Sequence, residues 1–327
     1  MLVSCRKLVF TRRFLAIILM MALAPVALQA QEKKSSAGED VLKIDTDLVM
    51  VEVTATDKRG NYVRNLTADD FRMLIDGRQR KIDFFNVTDE AMQSRPLAVV
   101  FALDLSGSLK PDEIETLRTS ALKFTEIIKG ESVFAAMAFN YEVKVFQEFT
   151  PDQKKIERAF AKMEHFGGST RIYDAIDKAV LMLSRRAHFS KSNKPLRRVV
   201  IVITDGFDSS SMVESRELIR RANAAGVTIY SITLPSYMLS ASRNTERVIT
   251  PLDATRIVAA TGGRDFAADA RDFAPVFRAL AEEVRASYGL AYYPEMRDGK
   301  QHEVRIEPVN TALQLRTNRT TFLAPAK

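Results

Sequence analysis

The chain has 327 residues, a formal net charge of +7, 46% hydrophobic residues and one cysteine. That length is enough for one large core and a smaller one, and a single cysteine excludes a fold held together by internal disulfide bonds. The basic residues are spread along the chain without a block that interleaves them with aromatic side chains, so nucleic acid is not an expected partner.

The first 30 residues have the composition of an export signal. Four basic residues open them: Arg6, Lys7, Arg12 and Arg13. The apolar stretch at 14–28 is too short for a comfortable membrane-spanning helix, and Ala30 offers a small residue for cleavage. We therefore predict a signal peptide at 1–30 and a secreted or periplasmic mature protein without a membrane span. An uncleaved inner-membrane anchor is the alternative.

A flexible leader is predicted at 31–40, followed by a small β module at 41–94. Apolar and polar side chains alternate from 49 to 56, which predicts a half-buried strand. A β-hairpin is predicted around the turn sequence Asp76-Gly77, with residues 81–85 as its second strand.

Residues 95–287 have a different sequence pattern, in which apolar runs are separated by amphipathic segments. Four runs without alternation predict strands buried on both faces of a parallel sheet: 97–103, 133–139, 199–204 and 227–234. Six segments with helical spacing of apolar residues predict helices: 112–129, 152–163, 172–186, 214–225, 252–261 and 272–286. Residues 143–149 predict an antiparallel edge strand. The predicted fold class is therefore α/β, with a doubly wound and mostly parallel sheet.

Residues 288–327 again have the sequence pattern of β-strands. Strands are predicted at 288–294, 302–306 and 313–316. Neither terminal β segment is long enough to bury a core alone. We predict that these strands pair with the N-terminal β module, so that the α/β domain is inserted in a small β-sandwich-like module. In the alternative, the two terminal β segments do not pair with each other and flank the α/β domain separately.

Five side chains with oxygen donors occur where a predicted strand ends or a loop opens: Asp104, Ser106, Ser108, Thr170 and Asp205. Open α/β sheets bind ligands outside the carboxyl ends of their strands, so these side chains are expected at one edge. Two carboxylates and three hydroxyls are donors of the kind that Mg²⁺ prefers. The pattern therefore predicts a divalent-cation site. A set of turn formers and helix caps is the alternative.

The string Asp104-Leu105-Ser106-Gly107-Ser108, with Thr170 and Asp205-Gly206 further along, resembles the metal-ion-dependent adhesion site of von Willebrand factor type A domains. The resemblance implies that the two serines and the threonine are hydroxyl ligands and that the two aspartates supply charge, partly through water. It implies Mg²⁺ as the cofactor, with Mn²⁺ or Ca²⁺ as alternatives. It also implies an open coordination position for an Asp or Glu carboxylate of a protein partner, and no catalytic residues.

The resemblance extends beyond the motif. The segments at 57–60, 66–71, 75–77 and 288–294 are similar to those of a bacterial family of VWFA-related proteins known from acidobacteria. The likeness covers about 41–325 and implies a secreted or periplasmic protein, but it does not imply a physiological role.

Two other functions stay open. One is a cell-envelope scaffold in which a structural metal only stabilises the fold. The other is a serine- or metal-dependent hydrolase, with Ser106 or Ser108 as nucleophile, His165 as base and Asp205 as its orienting carboxylate. The hydrolase has less support because the string contains no Gly-x-Ser-x-Gly elbow. We therefore predict that the protein is not an enzyme.

Three polar residues beside the motif are expected to have structural roles. Asp208 is predicted to cap the serine turn at 209–211, and a hydrogen bond to a ligand loop is the alternative. Asp174 is predicted to cap or line the helix that begins near Ile172. Arg171 is predicted to be a solvated loop charge.

Overall fold

The computed structural model describes residues 48–87, 96–105, 111–128, 130–163, 167–185, 190–191, 196–204, 208–233, 256–268 and 272–326. The predicted signal peptide and leader lie outside these ranges. Within them, no helix has the length and apolar character needed to cross a membrane.

The strands and helices of the described ranges are numbered in chain order. The strands are β1 Val49–Thr56, β2 Phe71–Ile75, β3 Arg78–Arg80, β4 Phe84–Val87, β5 Leu97–Asp104, β6 Val133–Phe139, β7 Val143–Thr150, β8 Arg197–Thr204, β9 Val227–Thr233, β10 Asp265–Ala267, β11 Ser287–Tyr292, β12 Gln301–Pro308, β13 Gln314–Thr317 and β14 Thr321–Leu323. The helices are α1 Pro111–Ile127, α2 Gln153–Ala161, α3 Ile172–Arg185, α4 Ser215–Ala225, α5 Ile257–Ala260 and α6 Ala274–Arg285.

The central sheet confirms the predicted α/β fold class. Its strands lie in the order β10-β9-β8-β5-β6-β7, and all neighbours are parallel except β6 and β7. The strand β7 is the antiparallel edge strand predicted at 143–149. The prediction missed β10, because three residues carry too little pattern to be recognised. Of the helix predicted at 252–261, the described part is α5, since 252–255 lie outside the described residues.

Alternate side chains of β5 enter two separate hydrophobic cores. Val99 and Phe101 pack with residues of α1, α2 and α6 on one face of the sheet. Val100 and Ala102 pack with residues of α3, α4 and α5 on the other face. Helices thus cover both faces, which is why the central strands are apolar without alternation. Polar groups that serve a ligand are therefore expected at the strand ends.

Two four-stranded antiparallel sheets contain strands from both sides of the α/β region. Their orders are β13-β1-β11-β4 and β14-β12-β2-β3. In the first sheet β1 pairs with β11, and in the second β2 pairs with β12. Residues of the two sheets, including Val51, Phe71, Leu290 and Val304, share one core. The strands that precede the α/β region are therefore completed by strands that follow it.

The predicted second strand of the hairpin is wrong. The partner of β2 is β3, not residues 81–85. Asp76 and Gly77 have φ angles of 49° and 76°, so both central residues of this two-residue turn are left-handed. Such a turn fixes the register of the hairpin, and the second strand resumes at once at Arg78. Phe84–Val87 instead joins the other sheet, where it pairs with β11.

The strand β1 is buried on both faces, whereas the sequence predicted a half-buried strand. Glu52 and Thr54 belong to the face predicted to be exposed, and both are buried. The reason is that this face lies toward the α/β region: Met50 and Glu52 line a cavity together with Leu196 and Arg198 at the beginning of β8. The alternation in the sequence of β1 follows the polarity of its side chains and does not show that the α/β region covers the polar face.

A buried carboxylate joins the last helix to the β sheets. Glu283 of α6 is 0% exposed and accepts two hydrogen bonds of 2.5 Å, from the hydroxyl of Tyr62 and from Nη2 of Arg316. Burial and the bond to Glu283 raise the pKa of Tyr62 to about 12, so this phenol stays a neutral donor at ordinary pH. Tyr62 and Arg316 flank the α/β region in sequence, and Glu283 belongs to it.

His302 on β12 is held between two carboxylates. Its Nδ1 lies 2.7 Å from Oδ2 of Asp76 in the hairpin turn, and its Nε2 lies 3.1 Å from Oδ1 of Asp298. The ring also stacks on Phe322, at 5.6 Å between centroids. The hydrogen bonds to Asp76 and then to Asp298 raise the pKa of His302, and the same contacts contribute to the lowered pKa of each carboxyl group.

We expect the stability of the fold to decrease as the pH rises through neutrality. The folded-state pKa of His302 is raised, so its contribution is complete below about pH 6.5, the ordinary value for histidine, and is lost as the pH rises through the folded-state pKa. Urea denaturation between about pH 5.5 and 8.5 measures this, with His302→Gln as the comparison. The variant is expected to show a flatter profile across the same interval, and parallel profiles would contradict this role for His302.

Candidate metal site

Asp104 ends β5 and is 3% exposed. Its Oδ2 accepts a hydrogen bond of 2.6 Å from Oγ1 of Thr204, the last residue of the neighbouring parallel strand β8. Thr204 is fully buried, so its hydroxyl is held by the strand that carries it. Hydrogen bonds to an ionised acceptor are among the stronger ones, and this bond orients the carboxylate at the carboxyl edge of the sheet.

The loop that carries Thr170 is fastened to the ends of β5 and β6. The N–H of Gly167 donates to the carbonyl oxygen of Leu105 at 3.1 Å. The side-chain amide of Asn140, just after β6, donates to the carbonyl oxygen of Gly167 at 3.0 Å. The carbonyl oxygen of Asn140 in turn accepts from the N–H of Arg171 at 3.0 Å. Both sides of Thr170 are thereby held at the edge where Asp104 lies.

The main chain of Thr170 is also bonded to the loop that follows β8. Its N–H donates to Oγ of Ser209 at 2.9 Å, and its carbonyl oxygen accepts from the N–H of Ser209 at 3.0 Å and of Ser210 at 3.3 Å. Thr170 itself is 7% exposed. The main-chain polar groups of this residue are thus occupied by the neighbouring loop, and its position does not depend on a ligand.

Asp208 and Asp174 link the loop after β8 to the first turn of α3. Asp208 accepts from the hydroxyl of Ser211 at 2.5 Å and from the N–H of Tyr173 at 3.3 Å. The predicted cap of its own turn is therefore present, and the second bond reaches α3.

The carboxylate of Asp174 caps a different segment from the one predicted. Its Oδ1 accepts from the N–H groups of Met212 and Val213, at 2.9 and 3.0 Å. It lies in the first turn of α3, where an acidic side chain is favourable. Arg171 was predicted to be a solvated loop charge, but its side chain is only 38% exposed, its Nε is buried, and its Nη1 lies 3.9 Å from Oδ2 of Asp174.

Of the five predicted ligands, the structure places Asp104 and Thr170. Ser106, Ser108 and Asp205 lie outside the described residues, as does His165 of the alternative hydrolase. These two candidate ligands lie at the same edge of the sheet, on segments bonded to one another, and both have side-chain oxygen atoms. This donor chemistry fits a hard divalent cation.

Comparison with known proteins identifies the family. The model of the von Willebrand factor type A (VWA) domain matches residues 98–263, just over half of the chain. The chain belongs to the von Willebrand factor type A family. In this VWA protein the matched region begins in β5 and contains every residue of the predicted metal site.

Two curated relatives illustrate the extent of the similarity. Inter-alpha-trypsin inhibitor heavy chain H3 of Pongo abelii is 26% identical over 146 residues, which are 42% of this chain and 16% of the relative. Matrilin-3 of Gallus gallus is 26% identical over 150 residues, which are 44% of this chain and 32% of the relative. The VWA chain therefore spans less than a third of the length of either relative.

A solved structure of a von Willebrand factor type A protein from Catenulispora acidiphila is also similar. It is 12% identical, with a TM-score of 0.48, and the match covers 71% of this chain and 67% of that one.

The sequence analysis assigned no role to three residues that position the candidate metal site: Asn140, Thr204 and Ser209. Asn140 and Thr204 had a signal, because each is a polar residue at the carboxyl end of a buried strand beside β5. Ser209 had none, since one serine of the turn 209–211 is not distinguished from the others until the loops are packed.

Proposed function

We propose that this protein is a secreted or periplasmic binding protein whose VWA domain holds Mg²⁺ and binds an acidic group of a protein partner. The interlocked loops at the carboxyl edge of the sheet are the observation that supports this proposal. Asp104 and Thr170 are nearly buried there, and each is held by hydrogen bonds from a different segment.

The proposed ligands are the hydroxyls of Ser106, Ser108 and Thr170 and the carboxylates of Asp104 and Asp205. Mg²⁺ retains several waters in protein sites and accepts carboxylate oxygen readily, so when bound it supplies an open position for an Asp or Glu of the partner. Mn²⁺ and Ca²⁺ bind related oxygen sites and are the alternative ions.

The described loops hold two of the proposed ligands in place. Asp104 is oriented by Thr204 of β8, and Thr170 is held through its own main chain. A site built from such fixed oxygen donors is preorganised, which lowers the ordering cost of binding. We therefore propose that the partner is held by one metal-bridged contact together with surface complementarity around it.

We expect partner capture by this protein to require a divalent cation. The immobilised full chain should retain a protein from cell-envelope extract in Mg²⁺, release it in EDTA and retain it again after excess Mg²⁺ or Mn²⁺. Thr170→Val removes one proposed ligand hydroxyl and should abolish this cycle. Thr228→Val is the matched control, because the Thr228 hydroxyl is buried in β9 without a hydrogen-bond partner in the described part of the chain.

The other outcomes distinguish the alternatives. Capture that is indifferent to EDTA would rule out metal-bridged adhesion. Mg²⁺ that raises thermal stability without any metal-dependent capture would favour the structural scaffold. Metal-dependent hydrolysis of ester, phosphate or peptide substrates that is lost in Thr170→Val would favour the hydrolase.

A further inference from the structure

A cavity lies at the opposite edge of the central sheet from the candidate metal site. It has a volume of about 330 Å³. Its lining comes from the beginning of β8, the end of α4, the first half of β1 and the segment that contains β14. Since β8 has eight residues, the cavity and the metal site are roughly 20 Å apart along the strand. The volume falls at the lower end of the range for small-molecule sites.

Two arginines contribute positive charge to this cavity. Arg198 donates from Nη1 to the carbonyl oxygen of Ala225 at 2.8 Å, which places its guanidinium at the end of α4. Arg319 has a buried Nε without a hydrogen-bond partner in the described part of the chain. Glu52 is the one carboxylate among the lining residues, so the lining has an excess of positive charge.

Burial has an electrostatic cost for both arginines. It lowers the pKa of Arg198 to about 10. It also lowers the pKa of Arg319 to about 10, and the positive charge of Arg198 adds to this effect while Glu52 opposes it. Both guanidinium groups remain charged at neutral pH, and an anion between them would reduce their repulsion.

A glycine leaves the space that the Arg319 guanidinium occupies. Gly226 ends α4 with φ +63°, and a Cβ added there would lie 1.8 Å from Nη2 of Arg319. The guanidinium therefore packs directly against the backbone of Gly226, in space that any other residue would fill. The neighbouring Asn318 donates to the carbonyl oxygen of Gly226 at 3.0 Å and accepts from the N–H of Glu52 at 2.8 Å. The backbone that carries Arg319 is thus anchored at Asn318 to α4 and to β1.

The rest of the lining is largely apolar. Leu48, Met50, Phe322, Leu323 and Pro325 contribute to it, and Leu323 is exposed. Such a cavity has a positively charged end that suits an anion and an apolar wall that suits an apolar group attached to that anion.

We propose that this cavity binds a carboxylate that carries a short apolar substituent, with the carboxylate on Arg198 and Arg319. The planar guanidinium has donors spaced to pair with carboxylate oxygens. Two sources have this chemistry: a free short-chain acid and the C-terminus of a peptide with an apolar last residue. This site is independent of the proposed metal site, since it uses none of its residues.

The test is calorimetric titration of the full chain with hexanoate and with the tripeptide Ala-Ala-Leu, in EDTA so that the metal site does not contribute. We expect saturable binding of at least one of them, and loss of it with hexanol or with the amidated tripeptide. Arg319→Gln should weaken the affinity about tenfold to a hundredfold, the range expected for a charge-assisted hydrogen bond. Arg278→Gln removes the same charge from the exposed surface of α6 and should leave the affinity unchanged.

Labelling of the unaltered protein keeps the proposal testable if Arg319→Gln does not fold. Phenylglyoxal modifies accessible arginines, and hexanoate or the tripeptide should slow modification of the partly exposed Arg319 but not of Arg278. The proposal is overturned if neither probe binds saturably, if Arg319→Gln binds like Arg278→Gln, or if the probes give no selective protection. A preference between the two probes identifies the source of the carboxylate.

Discussion

Replacement of Asp104 by asparagine is expected to lower the affinity for Mg²⁺ at least about tenfold, because outer-sphere metal partners already contribute that much and Asp104 also supplies charge. Asparagine keeps an oxygen that can accept the hydrogen bond from Thr204, so the buried hydroxyl stays paired. The expected result is therefore a loss of metal binding without a loss of fold. Calorimetric titration with Mg²⁺, together with far-ultraviolet circular dichroism, measures both quantities.

The choice of substitution matters at this position. Asp104→Ala would remove the acceptor of the hydrogen bond from the buried Thr204 hydroxyl, which costs about 1–3 kcal/mol of stability and would confuse a binding defect with an unfolding defect. Thr170→Val provides a second loss of a proposed ligand, and Thr228→Val controls for removing a buried threonine hydroxyl. An Asp104→Asn protein that binds Mg²⁺ as the unaltered chain does would contradict the proposed site. So would an Asp104→Asn protein that unfolds, since the carboxylate would then be a structural group.

Replacement of Glu283 by alanine is expected to reduce the free energy of unfolding by about 3–5 kcal/mol, the usual effect of removing one member of a buried ion pair. Glu283 is fully buried, and its loss removes the acceptor of both Tyr62 and Arg316. The Arg316 side chain is 31% exposed, so water can compensate only part of its charge. Urea denaturation followed by circular dichroism measures the change.

The adjacent residue provides the control for this experiment. Glu282 also forms an ion pair, with Arg64 at 2.7 Å, but both side chains are about half exposed. Glu282→Ala should therefore change the free energy of unfolding by only about 0–1 kcal/mol. A double-mutant cycle of Tyr62→Phe with Glu283→Gln measures the coupling across this contact. Equal effects of the Glu282 and Glu283 substitutions would show that burial does not strengthen the Glu283 contacts.

We add the hypothesis that occupation of the metal site shifts the last helix of the α/β region and thereby reorients the two β sheets. The helix predicted at 272–286 is α6, and its Glu283 is bonded to residues on both sides of the α/β region in sequence. Any shift of α6 has to move or break these bonds. The hypothesis therefore predicts that metal and an acidic ligand change the small-angle scattering of the unaltered chain, and identical curves would argue against it.

The sequence already contained the main architecture, because burial on both faces leaves an unmistakable pattern. Apolar runs such as 97–103 and 199–204 became neighbouring parallel strands, and the amphipathic segments became helices on both faces. The same pattern predicts the motif residues at strand ends and loops, and the structure describes two of them, Asp104 and Thr170. Shorter elements such as β3, β10 and β14 lacked enough residues to show a period.

What the sequence by itself determined is the local character of each segment: which strands are buried, where turns occur and which residues supply oxygen at the strand ends. Only the tertiary structure decided which segments meet, because pairing depends on contacts between residues far apart in the chain. The left-handed pair Asp76-Gly77 moved the hairpin partner to β3, and the covering α/β region buried Glu52. In the same way, Thr204 became the partner of Asp104, and Arg319 came to lie beside Arg198, only through packing of distant segments.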